Sequence, residues 1–191
     1  MNPESIPIEY HPLEPFLPEG CKVLFLGSFP PQRKRWCMDF FYPNYINDHW
    51  RIEGLVFFGD KNHFVDEASK TFRLEAIKAF LCDKGIGFYD TATAVRRLAD
   101  NASDKYLEVV EPTDINALTA PLTSLKAIAV TGEKACQTLC QYYKVEPPAM
   151  GGHILLPNGL RLYRLPSSSR AYPMRLERKA VAYQKMFAEV L

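Results

Sequence analysis

Short apolar runs alternate along the chain with stretches in which apolar residues recur at helical spacing. The first run, residues 23–26, is apolar at every position, which is typical of a strand buried on both faces of a parallel sheet. The predicted strands cover residues 22–26, 85–91, 125–130 and 160–165. The predicted helices cover residues 62–81, 115–122, 133–143 and 174–191. This alternation predicts an α/β/α sandwich with a central, mostly parallel sheet of about four strands.

The same pattern predicts one domain preceded by an arm. Residues 1–20 carry five prolines, at positions 3, 7, 12, 15 and 18, and these prolines disfavour regular structure. We therefore expect an extended arm over residues 1–20 and a single domain over residues 21–191. No internal repeat or low-complexity segment divides the chain, and 191 residues are enough to bury a sizeable core.

Small and polar residues follow the predicted strands and mark one edge of the sheet. Right-handed crossovers bring the ends of parallel strands to the same edge, here the loops at 27–31, 89–91, 131–132 and 166–170. Ligands bind beyond this edge in open α/β sheets. Gly27 and Ser28 allow the backbone to approach a ligand closely. From these residues alone, a structural turn without a ligand is an equal alternative.

The segment 40–50 combines aromatic rings with amide, acidic and imidazole side chains and has no regular periodicity. Such a mixture suits a pocket that stacks a planar ligand and hydrogen-bonds its edge. The alternative is an aromatic loop that only covers the core.

Two further segments have the composition of phosphate-binding sites. The serine loop (residues 167–169) offers hydroxyl and backbone N–H groups beside the start of the last predicted helix, and Arg170 follows it. The basic cluster (residues 33–35, Arg-Lys-Arg) lies just after the first strand-end loop and has the charge that a nucleic-acid backbone attracts. The alternatives are a capping turn for the serine loop and a solvated loop for the basic cluster.

Composition and charge do not identify the function, but they indicate the cellular compartment in which the protein works. The net charge is +1 at pH 7, so no overall field attracts a polyanion, although a local basic patch still can. The odd number of cysteines, five, favours a reducing compartment, and Cys136 and Cys140 are interpreted as core thiols. No apolar run approaches the ~20 residues of a membrane span, and the first residues do not resemble a signal peptide. We therefore expect a cytoplasmic protein with no metal and no membrane partner.

Five motifs, in this order, resemble the uracil-DNA glycosylase superfamily. They are Gly-Ser-Phe-Pro-Pro at 27–31, Phe-Phe-Tyr-Pro at 40–43 leading to Asn-Asp-His-Trp at 47–50, Gly-Phe-Tyr-Asp at 87–90, Thr-Gly-Glu-Lys-Ala at 131–135, and Leu-Pro-Ser-Ser-Ser at 165–169. Each motif is weak alone, but their order and spacing over residues 21–187 form a specific pattern. The chain is most similar to the hypoxanthine-DNA glycosylase-like branch and to the mismatch-specific uracil-DNA glycosylases.

This resemblance implies a monofunctional DNA glycosylase that needs no metal or other cofactor. Such an enzyme flips a deaminated or mismatched base, uracil or hypoxanthine, out of DNA and hydrolyses its N-glycosidic bond in base-excision repair. The implied partner is DNA that contains this base, and we expect the protein to act as a monomer. The sequence does not identify which base is excised or opposite which partner base.

The resemblance also implies roles for individual residues. Asn47, in an Asn-x-x-Trp motif, matches the residue that positions the attacking water beside a cationic sugar. The expected base pocket consists of Ser28, Phe29, Phe41, Tyr42, Tyr89 and Asp90. In this pocket Phe41 or Tyr42 stacks on the base, and Tyr89 and Asp90 form the floor. The expected contacts with DNA phosphates and the duplex are Ser167, Ser168, Ser169, Arg170, Arg33, Lys34 and Arg35.

Departures from the family pattern define an alternative function. Three residues instead of one separate the aromatic-proline motif from Asn47, and His49 and Arg170 replace a usual Phe and Pro. Ser28 and Phe29 stand where more active relatives carry a catalytic Asp or Asn, and the chain lacks the four-cysteine iron–sulfur pattern of the thermophilic branch. The alternative is a non-catalytic nucleic-acid or nucleotide-binding protein of the same fold.

Overall fold

The computed structural model describes residues 6–99 and 104–191. These residues form ten strands: β1 (Ile8–Tyr10), β2 (Val23–Gly27), β3 (Val65–Asp66), β4 (Thr71–Phe72), β5 (Ile86–Asp90), β6 (Ala92–Arg97), β7 (Leu107–Pro112), β8 (Ala127–Thr131), β9 (His153–Leu155) and β10 (Arg161–Leu165). They also form five α-helices: α1 (His49–Phe58), α2 (Leu74–Lys84), α3 (Ile115–Thr119), α4 (Glu133–Tyr143) and α5 (Leu176–Val190). Short 3-10 helices lie at Arg33–Arg35 and Asp104–Tyr106.

The central sheet has the strand order β5-β2-β8-β10-β9. The strands β5, β2, β8 and β10 are parallel to one another, and β9 joins β10 as an antiparallel edge strand. The prediction of a mostly parallel sheet of about four strands is therefore confirmed.

Strand β2 shows why both faces of this sheet are buried. Val23 and Phe25 belong to a core that also contains residues of α1, α2 and α5. Leu24 and Leu26 alternate with them and pack in a second core with residues of α3 and α4. Because successive side chains of a strand point to opposite faces, the run of apolar residues in β2 requires a helical layer on each side.

A second, antiparallel sheet has the order β1-β6-β7 and attaches the N-terminal segment to the domain. Strand β1 pairs with β6, and the guanidinium of Arg97 donates two hydrogen bonds to the carboxylate of Glu9. Further along, Phe16 exchanges two backbone hydrogen bonds with Phe88 of β5, at 2.9 and 2.8 Å. Residues 1–5 of the expected arm lie outside the described residues, and its boundary at residue 20 stays a prediction.

The prediction of a helix over residues 62–81 is wrong for its first half. Strands β3 and β4 form a small hairpin there, and α2 begins only at Leu74. The turn is stabilised by the carboxylate of Asp66, which accepts a hydrogen bond from the backbone of Ser69, and Lys70 has a φ of 49° that a helix does not allow. Val65 and Phe72, which fit helical spacing in the sequence, pair across the hairpin instead. None of the helices in the described residues is long and apolar enough to cross a membrane.

Helix α1 buries an unusual pair of titratable side chains, His49 and Glu53. Both side chains are inaccessible to solvent, with 3.5 Å between Nε2 of His49 and Oε1 of Glu53. Burial lowers the pKa of His49 to about 3 and raises the pKa of Glu53 well above its ordinary value of 4.5. Both shifts favour the uncharged form, so burial opposes a salt bridge between the two groups.

The buried carboxyl of Glu53 predicts a pH-dependent stability that Glu53→Gln removes. The folded protein keeps the Glu53 proton at pH values where the unfolded chain has released it, so the contribution of Glu53 to stability falls as the pH rises above 4.5. We expect the free energy of unfolding of Glu53→Gln, relative to wild type, to rise with pH above 4.5, by up to about 1.4 kcal/mol per pH unit.

Urea denaturation at several pH values measures this difference. The exposed Glu75 of α2 provides a matched control, since Glu75→Gln should follow the wild-type pH dependence. Parallel curves for Glu53→Gln and wild type would contradict the assignment of a protonated Glu53.

Candidate functional site

Four strand-end loops meet at one edge of the central sheet. Gly27 at the end of β2 pairs with Asp90 at the end of β5. Thr131 at the end of β8 pairs with Leu165 at the end of β10. Because these strands are parallel, the loops at 27–31, 89–91, 131–132 and 166–170 share this edge, which confirms the prediction from the sequence.

Gly27 lets the carboxylate of Asp90 lie against the end of β2. A Cβ atom at position 27 would overlap Oδ1 of Asp90, so any side chain there would displace the carboxylate. The hydroxyl of Thr113 donates to the backbone carbonyl of Asp90 at 2.7 Å and holds the same residue from the other side. The missing side chain at position 27 therefore determines where this carboxylate sits.

Tyr42 lies across the strand ends and is fixed at two points. Its hydroxyl lies 2.5 Å from Oγ1 of Thr131, and its ring stacks on the ring of His49 at 3.9 Å with an angle of 4°. Burial raises the pKa of the Tyr42 phenol above its usual value, so the group is a neutral hydrogen-bonding partner. One face of the Tyr42 ring is thus covered by His49.

The other residues expected in the base pocket cluster around a side chain that the sequence analysis did not single out. The ring of His11 lies between Phe29, Phe41 and Tyr89, and its Nε2 is 2.8 Å from Oδ2 of Asp90. His11 belongs to the proline-rich arm, where no periodicity indicates which side chain turns inward. Only the pairing of β1 with β6 brings it to this edge.

Ser28 faces a second carboxylate that the sequence analysis missed, that of Asp104. The two side chains are hydrogen-bonded. Burial raises the pKa of Asp104, and the nearby charge of Asp90 acts in the same direction. Two carboxyl groups therefore lie near the end of β2, and nothing in the spacing of the sequence links residue 104 to residue 28.

Asn47 lies just before helix α1 and is half-buried. Its side-chain oxygen accepts a hydrogen bond from the backbone N–H of His49 at 2.9 Å, and its backbone carbonyl accepts one from Arg51. This bond forms an Asx turn that satisfies the first backbone N–H of the helix, whose N-cap residue is Asp48. A carbonyl oxygen has a second lone pair, so this bond leaves Asn47 able to accept another hydrogen bond.

The serine loop is tied directly to the segment that carries Asn47. The backbone N–H of Asp48 donates to the carbonyl of Ser168 at 3.0 Å, and Ser168 itself is only 2% exposed. The hydroxyl of Ser167 accepts a hydrogen bond from the backbone N–H of Ser169 at 3.2 Å, and the hydroxyl of Ser169 accepts one from the backbone N–H of Ala171 at 3.3 Å. Helix α5 begins at Leu176, two residues after the predicted start, so residues 170–175 separate the serine loop from the helix.

A buried ion cluster holds the two segments together. Oδ1 of Asp48 accepts hydrogen bonds from Nε and Nη2 of Arg170 at 3.2 and 3.1 Å. Its Oδ2 accepts one from the ammonium group of Lys179, which also donates to the carbonyl of Ser169 at 2.8 Å. Lys179 is fully buried, whereas the side chain of Arg170 is 53% exposed. Sequence patterns cannot identify this role of Lys179, because a lysine in an amphipathic helix usually faces solvent.

The basic cluster forms a 3-10 helix that follows the loop after β2. The guanidinium of Arg33 lies 4.3 Å above the Trp36 ring and forms an ion pair with Asp39. Part of the positive charge expected to meet phosphate is therefore balanced within the loop.

Comparison with known proteins supports the fold expected from the five motifs. No protein-family model and no curated protein matches the chain. The fold is similar to a solution NMR structure of a "putative Uracil DNA glycosylase" from Methanosarcina acetivorans, with a TM-score of 0.61 over 96% of this chain and 98% of that chain. The two sequences are 22% identical, and the similarity is one of fold. The chain therefore shares the α/β/α fold of that structure.

The ion cluster predicts that Asp48→Asn destabilises the protein. Removing one partner leaves the ammonium of Lys179 buried without its counter-charge, which lowers the free energy of unfolding by about 3–5 kcal/mol. Urea denaturation measures this loss. The double variant Asp48→Asn/Lys179→Met should recover much of it, because the uncompensated charge is removed.

Asp39→Asn is the matched control, since it breaks the exposed pair with Arg33 and should change stability little. A loss for Asp48→Asn as small as that of the control would show that the cluster does not hold the loops together.

Proposed function

We propose that the protein is a DNA glycosylase that hydrolyses the N-glycosidic bond of a deaminated or mismatched base flipped out of DNA. The observation that carries this proposal is the hydrogen bond between Asp48 and Ser168. This bond joins the segment that carries Asn47, which resembles the water-positioning motif of the superfamily, to the serine loop, which resembles its phosphate-binding motif. Both lie at the edge of the sheet where ligands bind in this class of fold.

The aromatic and acidic residues of the pocket suit a uracil or hypoxanthine base. Flipping a base out of the duplex costs a few kcal/mol, and stacking plus hydrogen bonds to the edge of the base offset this cost. Phe41 and Tyr42 supply ring faces, and the carboxylate of Asp90 accepts a hydrogen bond from a ring N–H. Both bases carry such an N–H group.

Hydrolysis requires a positioned water more than a strong base. The bond between C1′ and the base nitrogen breaks first, so that the base departs as an anion and the sugar becomes cationic. Water then adds to C1′, and the proton that it releases neutralises the base. The amide oxygen of Asn47 orients this water without placing another charge beside the phosphates.

The serine loop, Arg170 and the basic cluster are the proposed contacts with the DNA backbone. Asp48 holds the guanidinium of Arg170 by one side, and the exposed part of this group faces solvent, where a phosphate can approach. The hydroxyls of Ser167 and Ser169 bind a second phosphate in this proposal, because the Ser168 side chain is buried. Contacts of this kind position the duplex but do not read its sequence.

The second candidate is a non-catalytic nucleic-acid or nucleotide-binding protein. One observation favours it: Phe41 is only 4% exposed, so the expected stacking surface is covered in this structure. The two candidates differ in turnover, since only the enzyme converts a damaged base into an abasic site.

The first functional prediction concerns Asn47→Ala. Removing one interaction with the transition state should lower single-turnover base release by about 10²–10³-fold, while affinity for DNA with an abasic-site analogue barely changes. Asn44→Ala is the matched control, because the Asn44 side chain makes a similar local hydrogen bond, to the backbone of Ile46, and has no proposed role. If Asn47→Ala keeps full cleavage while Asp90→Ala loses it, the assignment of the two roles is wrong.

The second functional prediction concerns the basic cluster. Changing Arg33, Lys34 and Arg35 together to Ala should weaken DNA binding and reduce its salt dependence, by a slope of about 0.9 for each phosphate that the cluster no longer neutralises. Fluorescence anisotropy at several salt concentrations measures both quantities.

A control with the same change of charge is the triple alanine variant at Lys22, Lys84 and Arg161. These residues lie at or just before the starts of β2, β5 and β10, at the opposite edge of the sheet. If neither affinity nor salt slope moves in the cluster variant, the basic cluster is only a solvated loop.

A further inference from the structure

His11 is bound at the candidate site as a ligand would be. Its side chain is 2% exposed. Its Nε2 lies 2.8 Å from the carboxylate of Asp90, and its Nδ1 lies 2.9 Å from the backbone carbonyl of Leu13. Both polar positions of the ring are thus engaged, one of them by the carboxylate proposed to read the base.

The faces and edges of the His11 ring are surrounded by aromatic side chains. Its centroid lies 4.6 Å from that of Tyr89, 5.3 Å from that of Phe29 and 6.4 Å from that of Phe41. A planar heteroaromatic ring between aromatic rings, with an edge nitrogen on a carboxylate, has the interactions that a flipped base needs. A base that stacks on Phe41 and bonds to Asp90 therefore competes with His11 for the same space.

Apart from the contacts of His11 itself, the segment that carries it is held by the pairing of β1 with β6 and by the ion pair of Glu9 with Arg97. Strand β1 has three residues and lies at the edge of its sheet, where β6 is its one partner among residues 6–99 and 104–191. The backbone N–H of His11 donates to Thr93, and the next backbone contact with the domain is the pair of hydrogen bonds between Phe16 and Phe88. Short edge strands open locally at a lower free energy than the strands of a buried core.

We propose that His11 is an internal occupant of the base pocket and that residues 8–11 must withdraw before a base can bind. The inference rests on the proposed function for the identity of the pocket. The closed form holds Asp90 and the aromatic rings in place without DNA, and binding of damaged DNA favours the open form. The measured affinity for a base is then reduced by the small fraction of open protein.

His11→Ala tests this inference without requiring catalysis. Free uracil and free hypoxanthine are the probes, and their binding is followed by NMR titration. Removing the imidazole should tighten the binding of at least one of them by about tenfold or more, since the closed form no longer competes. Asp90→Asn added to His11→Ala should weaken this binding again, and His153→Ala, on the distant edge strand β9, should match wild type.

A reversible disulfide that holds β1 against β6 provides the second test. Ile8 and Arg96 are directly paired across β1 and β6, so Ile8→Cys/Arg96→Cys allows a disulfide to hold the strand closed. The oxidised variant should neither bind free base nor release base from DNA, and dithiothreitol should restore wild-type behaviour. Wild type, with its own cysteines, is treated in the same way as the control.

The outcomes separate this inference from the proposed function. Tighter base binding by His11→Ala without base release by any form supports the occupied pocket and rejects the glycosylase. Base release by wild type, together with weaker base binding by His11→Ala, makes His11 a wall of the pocket and overturns the inference. The inference is also overturned if His11→Ala and the oxidised Ile8→Cys/Arg96→Cys variant both bind free base as wild type does.

Discussion

The buried contact of Asp48 with Lys179 and Arg170 is the interaction on which the candidate site depends. An ammonium group that is fully buried is costly unless a counter-charge and further hydrogen-bond acceptors surround it. Lys179 finds these in the carboxylate of Asp48 and the carbonyl of Ser169. This requirement joins the start of α1, the serine loop and α5, three segments that are far apart along the chain. The position of Asn47 relative to the serine loop follows from it.

The opposite side of the site is set by close packing instead of charge. Gly27 leaves room for the carboxylate of Asp90, and Tyr42 is clamped between the hydroxyl of Thr131 and the ring of His49. Helix α1 supports this ring through His49, which is buried together with Glu53. The candidate site therefore has one side fixed by a parallel sheet and another fixed by a helix.

The fold was predictable because β2 and β8, next to each other in the central sheet, are short runs buried at every position, which fit a sheet covered on both faces. The order of the strand-end loops followed from the same pattern. Helix α1 was missed because His49 and Glu53 are buried beside Trp50, so polar and apolar positions do not separate into two faces. His11, Asp104 and Lys179 were missed because their roles arise from contacts with distant residues, and nothing in their local sequence marks them.

The central claim is that this edge of the sheet removes a damaged base from DNA. The most direct measurement is single-turnover base release by the wild-type protein from duplexes that contain uracil, hypoxanthine or xanthine, opposite each partner base. The proposal predicts release of uracil or hypoxanthine and an abasic site that alkali then cleaves. Tight binding of these duplexes with every base left in place would contradict it and would identify a binding protein of the same fold.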